Sequence, residues 1–324
     1  MKQKVRIWNS ILEWFAKGIP VMLLYVLESK GSSPGRQGFF MSVNAVGEME
    51  GSIGGGIMEY KFVELAKERL TRDSENEQGL KRQIHDNISG VDRSGMICSG
   101  EQTILMRRVQ EKDIKIIEKL IASLEKNANG TLTLSPEGIE FSEEVPLEDF
   151  YLDKRLENAW LYKEKTGYKD HLFIIGGGHC ALALSNLMST MSFYIHIYED
   201  RKDLKTMIEN ATAHERKFVD GYSDLNSLIQ PGAHHYVVIM TFGYRTDDVA
   251  LRALLDKEFK YLGLLGSKNK ISRMFDAYSK EGIPEWQLKN VFTPIGLPIK
   301  SQTPEEIAVS IAAEIIREKN KDGQ

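Results

Sequence analysis

The stretch LFIIGGGHCALALSNLMSTMSFYIHIYEDR, residues 172–201, decides the fold. It opens with an apolar run, residues 172–175, that is typical of a buried strand, and Gly176-Gly177-Gly178-His179 follows at once. Small and apolar residues continue at helical spacing through Met188, and a second apolar segment, residues 193–198, ends in Glu199-Asp200. Strand, glycine turn, helix, strand and acid in this order form the βαβ pattern of a dinucleotide-binding domain.

The small residues of this pattern, in its G-x-G-x-x-A form, have separate physical roles. Gly176 allows a sharp turn, Gly178 allows the backbone to approach a phosphate, and Ala181 allows the helix to pack closely on the strand. His179 begins the helix, whose unpaired N–H groups and dipole favour an anion. Glu199 stands where an acid usually holds a ribose hydroxyl.

Two further apolar runs, residues 236–240 and 261–265, are predicted to be buried strands of the same domain. The loops that follow them begin at Thr241 and at Gly266-Ser267. Because loops at the carboxyl ends of parallel strands line the ligand crevice, we expect both loops to lie beside the glycine turn. The sequence therefore predicts an α/β protein whose C-terminal domain has a Rossmann-like parallel sheet.

Composition limits the class of protein. A length of 324 residues favours two domains, and a net charge of −4 gives no basic surplus for binding nucleic acid or anionic lipid. We find no signal-peptide pattern and no apolar run long enough to span a membrane, so we expect no membrane partner. Two cysteines, too few for a disulfide scaffold, favour a cytoplasmic protein.

A second glycine cluster lies in the N-terminal half, where the segment Gly51-Ser52-Ile53-Gly54-Gly55-Gly56 precedes a helix that we predict from Glu59. Glycines before a helix start either cradle an anion or make a tight connection that binds nothing, and both readings stay open. With the strands predicted at residues 21–27 and 39–43, this half is expected to form an α/β domain with a mixed sheet.

The two cysteines occupy different settings. Cys98 stands in Gly95-Met-Ile-Cys-Ser-Gly100, just before a predicted strand, where it is either an exposed nucleophile or metal ligand, or a small buried residue. Cys180 follows the glycine turn, where either the helix dipole lowers its pKa or it packs against the sheet.

Domain limits are drawn from composition. The charged residues 72–83 are predicted to be a mobile surface segment, and residues 147–170 show no clear period. We therefore predict an N-terminal domain over residues 1–165, ending in a linker from about residue 147, and a Rossmann-like domain over residues 166–324.

Several short motifs together resemble the xanthine dehydrogenase accessory proteins of the XdhC/CoxI type, over nearly the whole chain. In the N-terminal half these are Gly31-Ser-Ser-Pro-Gly, the 51–56 glycine segment with Glu59, and Cys98-Ser-Gly-Glu. In the C-terminal half they are Gly176-Gly-Gly-His, Glu199-Asp-Arg, Tyr261-Leu-Gly-Leu-Leu-Gly-Ser, Pro294-Ile-Gly-Leu and Thr303-Pro-Glu-Glu-Ile-Ala.

The resemblance implies a protein that binds the molybdenum cofactor (molybdopterin), holds it while its terminal sulfur is installed, and passes it to a molybdenum hydroxylase apoenzyme. A cysteine desulfurase is the implied sulfur donor, and a homodimer is a further expectation. Such proteins are cofactor chaperones more than enzymes. The residues expected at the cofactor are Gly176, Gly177, Gly178, His179, Ala181, Glu199, Asp200, Thr241, Gly266, Ser267, Gly54, Gly55, Gly56 and Glu59.

Cys98 is the candidate contact for molybdenum or sulfur, because a dithiolene-bound metal favours soft ligands. We expect the cofactor between the domains, with its phosphate at the glycine turn and its metal end toward Cys98. This sequence departs from the family at two positions of the expected cofactor site. Ile57 stands where many members have cysteine, and Phe242 stands where many have histidine.

Two other functions remain open. An NAD-dependent oxidoreductase would use the same fingerprint with Glu199 on the ribose, but the sequence offers it no clear acid–base group beyond His179 and Tyr244. A docking protein with a vestigial nucleotide cleft would have side chains filling the space in front of Gly178.

Overall fold

The computed structural model describes residues 1–72, 78–85, 100–156 and 159–321. The chain divides into two compact units, Met1–Gly167 and Tyr168–Gln324. Among the helices in these described ranges, none is long and apolar enough to cross a bilayer.

The N-terminal unit is built on antiparallel strands. Its described strands are β1 (Val21–Gly31), β2 (Phe40–Asn44), β3 (Met49–Gly51), β4 (Gln78–His85), β5 (Gly100–Arg108), β6 (Gly130–Leu134), β7 (Ile139–Ser142), β8 (Phe150–Leu156) and β9 (Ala159–Thr166). They form a five-stranded sheet in the order β3-β2-β1-β5-β4 and a four-stranded sheet in the order β7-β6-β9-β8. The mixed sheet that we expected is thus replaced by two antiparallel sheets.

Three helices in the described part of this unit pack on its sheets: α1 (Lys2–Ala16), α2 (Gly56–Thr71) and α3 (Glu111–Glu125). Strand β1 is apolar on both faces because a core lies on each side of the five-stranded sheet. Tyr25 packs in one core with residues of α1 and α3, and Leu24 packs in the other with Phe62 of α2. The α2 side of this sheet also carries the N-terminal glycine cluster.

Two sequence predictions for this unit are wrong. The linker predicted from about residue 147 is instead the hairpin of β8 and β9, which pair from Phe150 to Leu156. The mobile surface segment predicted at residues 72–83 includes most of strand β4, which pairs with β5 along its length. Both segments mix charged and apolar residues, so neither shows the clean alternation that identifies a strand.

The C-terminal unit contains the strands β10 (Asp170–Ile175), β11 (Phe193–Glu199), β12 (Glu215–Phe218), β13 (Gly232–Ile239) and β14 (Phe259–Leu264). Its helices are α4 (His179–Met188), α5 (Lys205–Ile208), α6 (Leu225–Leu228), α7 (Tyr244–Leu254), α8 (Lys268–Lys280), α9 (Glu285–Lys289) and α10 (Pro304–Lys319). The strands pair in parallel in the order β12-β11-β10-β13-β14.

This strand order confirms the predicted Rossmann-like sheet. The chain builds outward from β10 through β11 to β12, then returns to β13 on the other side of β10, so the strand order reverses between β10 and β13. Ligands of such sheets bind at the carboxyl ends of the strands beside this reversal. The glycine turn follows β10 there. Helix α10 begins at a capping box formed by the segment Thr303-Pro304-Glu305-Glu306, in which Thr303 accepts a hydrogen bond from the N–H of Glu306.

Candidate functional site

The glycine turn after β10 contains one glycine whose Cβ position is blocked by neighbouring atoms and one whose Cβ position is unobstructed. Gly176 has φ of +104°, and a Cβ atom there would lie 2.5 Å from the carbonyl oxygen of Met240 at the end of β13. Gly178 is the N-cap of α4, and a Cβ atom on it would meet no atom within 4 Å. Gly176 is therefore required for the fold, whereas Gly178 leaves clear space before the first N–H groups of a helix.

Glu199 is held by the protein itself. Its side chain is 0% exposed, and its carboxylate accepts hydrogen bonds from the N–H of Gly177 at 2.6 Å and from the guanidinium of Arg201 at 2.7 and 2.9 Å. Burial raises the pKa of Glu199, but these hydrogen bonds outweigh it and hold the pKa at about 2. The predicted contact with a ribose hydroxyl would require this buried carboxylate to give up a protein partner.

Asp200 and Arg201 extend this polar group toward solvent. Burial and the neighbouring Glu199 raise the pKa of the half-buried Asp200, which also accepts a hydrogen bond from Tyr222. The guanidinium of Arg201 lies 5.3 Å from the ring centroid of Phe242, a side chain that is 84% exposed. A cation–π contact therefore joins the loop after β11 to the loop after β13.

The loops after β13 and β14 are joined by an ion pair between a buried aspartate and a half-buried lysine. Asp247, on α7, is 0% exposed and accepts hydrogen bonds from the N–H and hydroxyl of Thr241 at 3.0 and 2.6 Å. Its other oxygen pairs with the ammonium of Lys270, which also donates to the carbonyl of Leu265 at 3.1 Å. The structure thus fixes Thr241 and the end of β14 at the same edge of the sheet.

The remaining predicted residues near the glycine turn differ in their burial and in their hydrogen-bond partners. Ala181 lies on the buried face of α4, whereas His179 is exposed in the first turn of the same helix. Ser267 is the N-cap of α8 and accepts from the N–H of Lys270, while Gly266 leaves room for the stem of that lysine. Burial, followed by the charge of Glu305, raises the pKa of Cys180. Its partly buried side chain packs against the core of this unit, which favours the packing reading over a thiol activated by the helix dipole.

The glycine cluster of the N-terminal unit already holds an anion. Glu59, in the first turn of α2, accepts hydrogen bonds through one carboxylate oxygen from the hydroxyl of Ser52 at 2.7 Å and from the N–H groups of Ile53 and Gly55, each at 3.0 Å. A carboxylate from the chain itself thus takes the place that a phosphate would occupy. This arrangement supports the tight-connection reading for these N–H groups.

The same cluster packs against two other sequence motifs, and we call this contact the glycine junction (residues 31–36, 51–56 and 100–102). A Cβ atom on Gly35 would lie 2.0 Å from the carbonyl oxygen of Ile53, and one on Gly100 would lie 2.5 Å from the N–H nitrogen of Ser33. The amide of the buried Gln102 donates to the carbonyls of Gly35 and Ile53 at 2.7 and 3.3 Å. Three separated motifs of the sequence therefore meet at one place.

Cys98, the candidate contact for molybdenum or sulfur, lies outside the residues that the structure describes. Ile57, which stands at the family's cysteine position, is exposed in the first turn of α2. Within the described ranges, no group of three or more histidine, cysteine, aspartate or glutamate side chains is arranged to hold a metal ion.

Sequence reasoning missed three residues of this architecture: Gln102, Asp247 and Lys270. Each is a common polar residue whose partners come from another loop, so no local pattern identifies it. A strand-end threonine followed by an aspartate in the first turn of a helix, as in Thr241 and Asp247, is the one signal that was available.

Two family models match the chain. One is described as the XdhC Rossmann domain and matches residues 172–315, and the other is described as the XdhC and CoxI family and matches residues 14–79. The first match begins within β10 and includes the glycine turn, and the second includes the glycine cluster before α2.

Similar curated proteins and a solved structure extend over more of the chain. The protein YqeB of Escherichia coli strain K12 is 24% identical over 307 residues, which are 93% of this chain and 44% of YqeB. A Bacillus subtilis protein, named as a probable xanthine dehydrogenase subunit, is 23% identical over 320 residues, 93% of each chain. A Bacillus halodurans crystal structure, described as a xanthine dehydrogenase, has a TM-score of 0.71 and 23% identity, covering 98% of this chain and 96% of its own. That likeness shows the same fold, while the chain spans less than half the length of YqeB.

Proposed function

The chain belongs to the XdhC and CoxI family, and from this premise we propose that it is an accessory protein of a xanthine-dehydrogenase-type molybdenum hydroxylase. In this role it binds the molybdenum cofactor, holds it during sulfuration and passes it to the apoenzyme. The name of the Bacillus subtilis relative, which describes it as a probable xanthine dehydrogenase subunit, supports the link to such an enzyme.

The observation that carries the proposal is the open space at Gly178. The turn after β10 brings the first N–H groups of a ten-residue helix to the reversal of strand order, and among the described residues no atom lies within 4 Å of the position that a Cβ on Gly178 would take. A phosphate fits this place, because it is an anion that needs backbone donors and close approach. The cofactor supplies the molybdenum and the sulfur, whereas this chain supplies binding and orientation.

Residues at the strand ends have supporting roles in this proposal. Thr241 and Ser267 are hydrogen-bonded to neighbouring protein groups and fix the loops around the phosphate. His179, exposed in the first turn of α4, is placed to donate to an anion. A cysteine desulfurase as sulfur donor and a homodimer belong to the same proposal, as does Cys98 as the sulfur or molybdenum contact.

The observations favour this function over the two alternatives. An NAD-dependent oxidoreductase would use Glu199 on the ribose, but that carboxylate is fully buried and engaged by Gly177 and Arg201. A vestigial cleft would be filled by side chains, whereas no described atom lies within 4 Å of the position that a Cβ on Gly178 would take.

Equilibrium titration of the purified full-length chain with molybdopterin, NAD and NADP tests the proposal. We expect saturable binding of molybdopterin and much weaker binding of both dinucleotides. Tight NAD binding with no molybdopterin binding would support the oxidoreductase, and binding of none of the three would support the docking protein.

A further inference from the structure

Helix α10 is apolar on the face that points away from the parallel sheet as well as on the face that packs on it. Ile311 and Ile315 are buried in the core between the helix and the sheet. Val309, Ala313 and Ile316 recur at positions i, i+4 and i+7 on the opposite side, where Val309 is 50% exposed and the other two are half-buried. A helix that is apolar all round is normally covered on both sides.

The neighbouring helix α4 extends this apolar surface. It packs beside α10, and none of its residues 180–188 is charged. Its residues Ala183 and Leu187, one turn apart, are only partly buried. Helix α8, on the other side of the sheet, gives the contrast, because its outward residues Arg273 and Asp276 are charged and exposed. The α4–α10 side of this unit therefore has the composition of a surface that another protein surface covers.

The charges at the two ends of α10 indicate what covers it. The first turn carries the exposed acids Glu305 and Glu306, and the exposed cations Arg317 and Lys321 lie at the other end. An antiparallel copy of α10 would bring each acidic end to a basic end, and the helix dipoles favour the same orientation. Both cations also pair with Glu318 of their own helix, at 3.0 and 3.3 Å, so these charges orient the two helices more than they stabilise the contact.

We propose that α10 forms the contact of a two-fold symmetric homodimer, packed antiparallel on α10 of a second copy with Ala313 at the centre. Ala313 lies eight positions after Glu305 and eight before Lys321, so a two-fold axis there aligns both pairs of oppositely charged ends. A small side chain at this point also allows two helices to approach closely. The homodimer belongs to the proposed function, and α10 is the surface that would form it.

Sedimentation equilibrium of the full-length chain without ligand tests the association. At about 50 µM in low salt we expect a dimer. Ala313→Arg places a bulky cation at the axis, so we expect the dimer Kd to increase at least about tenfold with little change in Tm. Ser272→Arg is the matched control, because it places the same side chain on the exposed polar face of α8, and it should leave the Kd unchanged.

Cysteine crosslinking locates the contact directly. In a chain whose Cys98 and Cys180 are replaced by serine, we expect Ala313→Cys to be linked to its own copy by a short bismaleimide, because the two thiols would lie together at the axis. Lys119→Cys, at an exposed position on α3 of the N-terminal unit, should remain a single chain on a denaturing gel.

The opposite results overturn the inference. A wild type that is monomeric at this concentration has no such contact, and a dimer that Ala313→Arg leaves equally strong uses another surface. If Ala313→Arg does not fold, crosslinking decides: linkage at position 313 but not at 119 supports the contact, and equal or absent linkage contradicts it. Because these measurements need no ligand, the failure of the dimer contact leaves the proposed cofactor binding untouched.

Discussion

Glu199 illustrates how a residue with a familiar position acquires a different set of contacts. Its place at the end of β11 is that of a ribose-binding acid, yet the Gly177 N–H and the Arg201 guanidinium engage both of its oxygens. The Glu199 carboxylate is buried and its Arg201 partner is partly exposed, and the hydrogen bond from the Gly177 N–H ties the pair to the glycine turn. At this scale the acid stabilises the turn that presents Gly178.

Glu199→Gln tests this stabilising role. The amide still accepts from the Gly177 N–H but leaves Arg201 without its counter-charge, so we expect the free energy of unfolding at pH 7 to fall by about 3 kcal/mol. Urea unfolding measures the difference. Asp203→Asn, at an exposed position in the next turn, is the control and should change stability little.

The same substitution has a defined pH dependence. The pKa of Glu199 is about 2 in the folded protein, below its ordinary value of 4.5. The stabilisation is therefore complete above pH 4.5 and is lost as the pH falls toward 2. Wild type and Glu199→Gln should converge in stability over this range, and equal stability at pH 7 would contradict the assigned role.

Neighbouring strands of the C-terminal unit carry a cluster of histidines in their amino-terminal halves. The protonation of this cluster affects how the strands interact. His196 of β11 lies 3.2 Å from the carboxylate of Glu215 on β12 and 3.1 Å from His171 of β10. Because a carboxylate only accepts, His196 Nδ1 carries the hydrogen and His196 Nε2 accepts from His171. Protonating His196 would replace this acceptor with a second donor.

Acid should therefore destabilise this unit. Burial, followed by the charges of His196 and His235, lowers the pKa of His171 to about 4 from an ordinary 6.5, although Asp170 and Glu215 act in the opposite direction. Burial likewise lowers the pKa of His196. The unfolded chain binds protons in this window that the folded unit does not, so the free energy of unfolding decreases as the pH falls from 6.5 toward 4.

His196→Gln separates this effect from general acid denaturation. Glutamine donates to Glu215 and accepts from His171 but does not titrate. We expect the loss of stability between pH 7 and pH 5 to shrink by about 1 kcal/mol, allowing for solvent screening at the cluster's edge. Thermal unfolding across this pH range measures it, with the exposed His179→Gln as control. Equal pH dependence in the wild type and His196→Gln would refute the prediction.

At the scale of the whole molecule, the sequence predicts those structural features that are encoded by residues close together in the chain. The glycine turn, the parallel sheet and the α10 capping box each follow from residues within a few positions of one another, and all three are present. Strand β4 was missed because it mixes charged and apolar residues without the clean alternation that identifies a strand.

The features of the candidate site that the sequence did not predict are contacts between loops far apart in the chain. The Asp247–Lys270 pair joins residues 23 positions apart, and the Gln102–Gly35 hydrogen bond joins residues 67 apart. Such pairs depend on the tertiary fold and leave no local signal. Glu59 and Glu199 were placed near glycines from the sequence, but only the fold shows that each carboxylate already binds the backbone there.

The most direct test of the central claim, that the Gly178 turn holds the cofactor, is the molybdopterin affinity of Gly178→Ala measured together with its Tm. Gly178 has φ of −71° and ψ of −171°, which alanine adopts without strain, and its methyl group would enter clear space. Gly176→Ala is the contrasting variant, and should lose about 2 kcal/mol or more because of its positive φ and the contact with Met240. We predict that Gly178→Ala keeps the wild-type Tm and binds molybdopterin at least about tenfold more weakly. Wild-type affinity in Gly178→Ala would contradict the account.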